Sequence, residues 1–140
     1  MRLLVSACLL GVGCRYDGES KPCPAVMELA KAHELIPVCP EQLGGLFTPR
    51  TPAEIRGKRV VNREGRDVTA AYQKGAEEAV RLYRALNCDG AVLKARSPSC
   101  GCGQVYDGSF RGVLVPGDGI TAQALKKLGA EIWTEETLNR

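Results

Sequence analysis

The sequence predicts an α/β fold, a single domain over residues 1–140 in three layers around a mostly parallel sheet. Three observations predict it. Short runs rich in leucine and β-branched residues alternate with stretches of helical periodicity, in the order strand, helix, strand, helix, strand, helix, strand. The runs at Arg2–Ala7 and Gly90–Lys94 are apolar without alternation, as in strands covered on both faces. A length of 140 residues, 44% of them hydrophobic, suits one compact core.

Taken in order, RLLVSA is the first strand, followed by a glycine-containing loop from Leu9 to Lys21. Pro22 and Pro24 ahead of AVMELAKAHE mark a helix running to Glu34, because proline is tolerated in a first turn. Val26, Leu29 and Ala30 supply its apolar face. Leu35–Val38 is a second strand ending at Cys39–Pro40. The stretch EQLGGLFTPRTP, Glu41 to Pro52, reads as loop because it carries two glycines and two prolines. IRGKRVVNREGRDVT is a hairpin or meander turning at Gly57 and Gly65. Asp67 or Thr69 caps the longest helix, Thr69 to Leu86, whose apolar stripe is Ala70, Ala76, Ala79, Val80, Tyr83 and Leu86. After GAVLK, a third buried strand, a long loop reaches Gly119 with one extended piece in SFRGVLVPG. Asp118 or Thr121 starts a short helix to Leu128, Glu131–Thr134 is a last strand, and the tail is polar.

Bulk properties exclude several classes of function. The net charge of +3 is mild and the basic residues are dispersed, so intact nucleic acid is not expected as a partner. Aromatic residues, at 5%, are too few for a single-strand stacking platform. MRLLVSACLLG resembles a signal h-region, but Gly11, Gly13 and Cys14 interrupt it and Arg15-Tyr16-Asp17 follow. It reads better as a buried first strand. No run approaches the ~20 apolar residues that span a bilayer, so no membrane partner is expected. The expected location is the cytoplasm, where thiols stay reduced, and there an odd count of seven cysteines suggests metal binding or catalysis over a disulfide framework.

Three of those cysteines fall at the carboxyl ends of predicted strands: Cys8, Cys39 and Cys100. In open parallel sheets the ligand site lies at that end. Each alone is as well explained as a buried structural thiol. Together they suggest a soft metal or an iron–sulfur cluster. With one histidine in the chain, sulfur is the dominant ligand type. Cys102, two residues on, is a fourth ligand, a resolving thiol or a bystander. A set of three ligands is favoured because a catalytic metal keeps one position open. Cys14, Cys23 and Cys88 read as structural. Glu41 is a candidate general acid/base, and Ser97 or Ser99 a hydroxyl for substrate binding or proton relay. Tyr16 and Asp17 are candidate pocket residues, and Lys94 and Arg96 would give the pocket a cationic rim that favours thiolates.

VSACLLG, CRYDG, PVCPEQLGGLFTPR, LKARSPSCG and YDGSF, in this order, resemble the thiouracil desulfurases, a small bacterial family formerly grouped as a domain of unknown function. The resemblance covers essentially the whole chain. It implies a [4Fe–4S] cluster held by Cys8, Cys39 and Cys100, with a fourth iron that takes the sulfur of a thiolated pyrimidine such as 2- or 4-thiouracil. Water replaces the sulfur without net redox change, and sulfide is the product. Glu41 and a serine, Ser97 ahead of Ser99, are similar to the acid/base residues. Cys14 and Cys102 inherit no role. An oxygen-sensitive iron and dependence on cluster assembly machinery follow from the same resemblance. Two other readings of the residues stay open: a metal-free sulfurtransferase or redox protein using Cys100 and Cys102, and a zinc-binding structural module or carrier.

Overall fold

The computed structural model describes residues 1–138. Four strands form the central sheet: β1 (Arg2–Ser6), β2 (Glu34–Val38), β5 (Gly90–Leu93) and β8 (Ile132–Thr134), in the order β2-β1-β5-β8. All of its pairings are parallel, with Leu4 opposite Ile36 on one side and Ala91 on the other. Side chains alternate between two buried faces. Leu3, Val5 and Val92 pack with Val26 of α1 (Pro24–Glu28), whereas Leu4, Ala91 and Leu93 pack with Ala79 of α3 (Thr69–Ala85) and Leu125 of α4 (Ile120–Lys127). The result is the expected three-layer α/β arrangement around a mostly parallel sheet.

Two antiparallel hairpins lie outside this sheet. One is β3 (Ala53–Arg56) with β4 (Arg59–Asn62), the expected hairpin turning at Gly57. The other, β6 (Gln104–Tyr106) with β7 (Leu114–Pro116), occupies a region where only one extended piece was expected.

Several elements differ from expectation for physical reasons. The first helix stops at Glu28 and continues as a 3₁₀ turn, Leu29–Lys31. Only Val26 of it is buried, too narrow a face to hold a longer helix. A one-turn helix, α2 (Pro40–Leu43), stands inside the expected loop, started by its proline and too short to show periodicity. In α3, Ala76 and Ala79 are buried as expected, but Ala70 and Leu86 are exposed, and Tyr72 and Gly75 take their place. Asp67 Oδ1 accepts from the Thr69 amide at 2.9 Å ahead of this helix. The boundary residue before α4 is Gly119, not Asp118 or Thr121. Thr121 is buried, and Asp118 Oδ1 accepts from the Gly103 amide at 2.8 Å and pairs with Lys126. The polar tail folds back at Glu135 and Glu136, and its last two residues lie outside the described ones.

Candidate active site

The carboxyl ends of β2, β1 and β5 are neighbours, and each delivers one cysteine. Cys8 sits in the 3₁₀ turn Ala7–Leu10 that leaves β1. Cys39 is the residue between β2 and α2. Cys100 follows β5 in a tight turn in which Ser97 Oγ accepts from the amides of Ser99 and Cys100, both at 3.1 Å. That turn lies flat on the start of α4. A Cβ on Gly119 would come within 2.5 Å of the Ser99 carbonyl, so only glycine lets the two backbones meet. The three thiols open into one cavity of about 810 Å³. Cys14 and Cys23 line it as well. The Cys14 carbonyl accepts from the Cys39 thiol at 3.7 Å and from Arg50 Nη2 at 2.8 Å.

Burial pushes the Cys100 thiol up to about 12, against hydrogen bonds from Ser6 and Ser99 that pull it down. The hydrogen bond with Cys14, and then burial, push the Cys39 thiol up. The Cys14 thiol is raised too: its contact with Cys39 pulls it down, but its contact with Cys8 and burial outweigh that. The surroundings therefore disfavour the thiolate form of Cys100, Cys39 and Cys14, and a bound cation would act in the opposite direction. Among the described residues, no three Cys, His, Asp or Glu side chains converge on one metal-ion position.

Glu41 stands on α2, two residues beyond Cys39. Its Oε2 accepts from Ser99 Oγ at 3.0 Å, and Ser99 Oγ lies 2.9 Å from Ser97 Oγ. Its Oε1 pairs with Arg50 Nε at 2.9 Å, in an ion pair whose side chains are only 14% and 9% exposed. Arg50 also donates to the Phe47 carbonyl, Thr48 Oγ1 and the Cys14 carbonyl, which fixes its fork in place. Tyr72 of α3 is 2% exposed and lines the cavity. Burial, reinforced by the neighbouring Glu41 charge, raises its phenol. The closeness of α2 and α3 is set by two glycines. A Cβ on Gly75 would lie 1.9 Å from the Pro40 carbonyl oxygen, and one on Gly44 would lie 2.0 Å from that of Ala71.

Glu41, Ser97, Ser99, Tyr16, Lys94 and Arg96 all line this cavity, whereas Asp17 and Cys102 do not. Asp17 Oδ1 instead accepts from the Glu19 amide at 2.9 Å, closing a surface turn. Cys102 lies beside Lys126 on the α4 side. The rim expected to be cationic is neutralised by the tail. Lys94 Nζ pairs with Glu135 at 2.8 Å, and Arg96 Nη2 pairs with Glu136 at 2.6 Å. Arg50, Tyr72, Ser6, Glu135 and Glu136 went unnoticed in the sequence. A lone tyrosine in TAAYQKGA and an arginine between two prolines in TPRTP were the available signals.

An α/β protein with buried thiols, a carboxylate and hydroxyls gathered at the carboxyl end of a parallel sheet has the layout of an enzyme built on a sulfur-ligated centre. The chain matches the 2-thiouracil desulfurase family over residues 3–137, and it belongs to that family of enzymes. It is 38% identical over 147 residues to YbbK of Bacillus subtilis (strain 168), described as uncharacterized, covering 98% of this chain and 97% of that protein. Among solved structures it is similar to the [4Fe–4S]-dependent thiouracil desulfidase TudS, with a TM-score of 0.93 and 44% identity over 99% of this chain and 93% of that one. No helix among the described residues is long and apolar enough to cross a membrane.

Proposed function

We propose that this protein carries a [4Fe–4S] cluster on Cys8, Cys39 and Cys100 and removes sulfur from thiolated pyrimidines such as 2- or 4-thiouracil. The observation that carries the reading is the convergence of those three thiols in one cavity with Glu41 and Ser99 on its wall. The donor set fits the cluster: it is all thiol, and Cys8, Cys39 and Cys100 line one cavity from three neighbouring strand ends. When bound, such a cluster supplies a Lewis-acidic iron whose vacant position suits a soft thiocarbonyl sulfur.

The chain's own residues then manage a proton and a water. The overall exchange is C=S plus water to C=O plus hydrogen sulfide, with no electron gained or lost. Glu41, held on one side by Arg50 and on the other by Ser99, accepts the proton of the attacking water. Ser99 touches Glu41 and passes a proton between it and the leaving group. Ser97 serves as the residue that orients Ser99, since its oxygen already accepts from two amides. The reading calls for a reducing compartment, taken to be the cytoplasm, for protection of the iron from oxygen, and for supply by cluster assembly machinery. A metal-free reaction at Cys100 and Cys102 draws no support, because Cys102 stands outside the cavity.

The test is anaerobic purification, iron and acid-labile sulfide quantification, and incubation with 2- and 4-thiouracil. Brown protein with broad absorbance near ~400 nm and release of uracil and sulfide is expected. Colourless iron-free protein, or iron-loaded protein that leaves both compounds intact, would overturn the reading.

A further inference from the structure

The YDGSF segment, residues 106–110, has no task in the reaction just described, yet it is held more firmly than a connecting loop requires. It leaves the end of β6 and docks on β3. Glu54 Oε1 accepts from the amides of Gly108 at 3.0 Å and Phe110 at 3.1 Å, and Arg56 Nε donates to the Gly108 carbonyl at 2.8 Å. Gly108, at φ +93°, presses so closely on β3 that a Cβ there would come within 2.8 Å of the Ile55 carbonyl. The Asp107 amide donates to the Val113 carbonyl at 2.9 Å, which closes the loop.

The product of this clamping is one side chain. Phe110 has φ +59°, a left-handed conformation that bulky residues rarely adopt and that persists only where the surroundings enforce it. The guanidinium carbons of Arg56 and Arg63 lie 5.9 and 5.5 Å from the centre of its ring. Core burial does not account for the strain. Phe110 belongs to none of the hydrophobic clusters among the described residues; its ring is half-buried and lines the cavity that holds Glu41 and the three thiols. Strain that the core does not need, at a residue facing a site, marks a surface shaped for a ligand.

We propose that Phe110 is the aromatic wall against which the substrate's pyrimidine ring lies, and so a specificity-determining residue for planar heterocycles. The proposal rests on the function argued above and deepens it. Glu54 and Arg56, on the β3–β4 hairpin, hold the wall in place from outside the central sheet.

The test uses iron-loaded protein, steady-state kinetics on 2-thiouracil and calorimetric binding of the product uracil. Phe110→Leu keeps the apolar bulk and removes the π face, whereas Phe110→Tyr keeps both. Phe110→Leu should raise KM and the uracil Kd about tenfold, with kcat within about threefold and iron content unchanged, while Phe110→Tyr stays near the parent. Parent KM and Kd in Phe110→Leu, or a loss confined to kcat, would overturn the proposal. Should Phe110→Leu fail to fold, Phe110→Trp decides, because its larger face should tighten uracil binding and an unchanged Kd would overturn the wall. Failure of the unsubstituted protein to act on thiouracil would instead defeat the functional reading.

Discussion

Gly75→Ala tests the backbone crossing that holds Glu41. Two effects oppose each other. Alanine is the better helix former, and in an ordinary helix interior the exchange stabilises by about 1 kcal/mol. Here the new Cβ would lie 1.9 Å from the Pro40 carbonyl oxygen, and it must retreat to the 3.0 Å below which such contacts essentially never occur, a displacement of 1.1 Å. Overpacking on that scale costs about 1–3 kcal/mol. The contact is backbone against backbone, so no side chain can swing aside, and overpacking wins. Urea unfolding should show a net loss of up to about 2 kcal/mol, the overpacking cost less the propensity gain. Pro40 stands between Cys39 and Glu41, so a shift of its carbonyl disturbs both. A misplacement of about 1 Å in a catalytic group costs on the order of 100-fold in kcat. The assay is turnover of 2-thiouracil at matched iron content, beside the unfolding curve. Gly75→Ala protein with parent kcat and equal or greater stability would refute the reasoning, because the helices would then have room that the structure denies them.

Other outcomes follow from the same geometry. Cys39→Ala should lose bound iron while circular dichroism shows the chain still folded, whereas Cys88→Ala should keep its iron. Glu41→Gln should keep the cluster absorbance and lose turnover by at least about 100-fold. Arg50→Met breaks a nearly buried ion pair and should lower unfolding free energy by about 3 kcal/mol in denaturant melts. Asp67, lowered below its ordinary value by hydrogen bonds from Thr69, adds stability that is present above pH 3.8 and lost as pH falls through its folded value. The difference in melting temperature between the parent and Asp67→Ala should therefore be largest near neutrality and shrink below pH 3.8.

The buried strands were legible because Leu3, Leu4, Val5 and Ala91, Val92, Leu93 are apolar on both faces, a pattern only a covered parallel strand needs. The meeting of Cys8, Cys39 and Cys100 in one cavity was legible because each follows an apolar run that reads as a strand of one parallel sheet. What escaped was set by contacts distant in sequence. Tyr72 and Gly75 lie on the buried face of α3 because α2 crosses there, and no periodicity within α3 announces a neighbour. Lys94 and Arg96 looked like a cationic rim because their partners, Glu135 and Glu136, come from the tail some 40 residues later. Cys102 looked close to Cys100 in the sequence, but the turn held by Ser97 sends Cys100 inward and leaves Cys102 on the α4 side.

The sheet order also bears on why the three cysteines meet. The connection through α1 covers one face of the sheet and that through α3 the other, so β1, between β2 and β5, lies where the chain changes sides. Neighbouring strands stand roughly 4.8 Å apart, which sets the ends of β2 and β5 about 10 Å from each other. The turns that follow the strands close part of that gap, because the Cys14 side chain contacts both Cys8 and Cys39. The loops are pinned by Gly44 against Ala71, Gly75 against Pro40 and Gly119 against Ser99. These backbone-to-backbone contacts set the frame around the cysteines from the polypeptide itself.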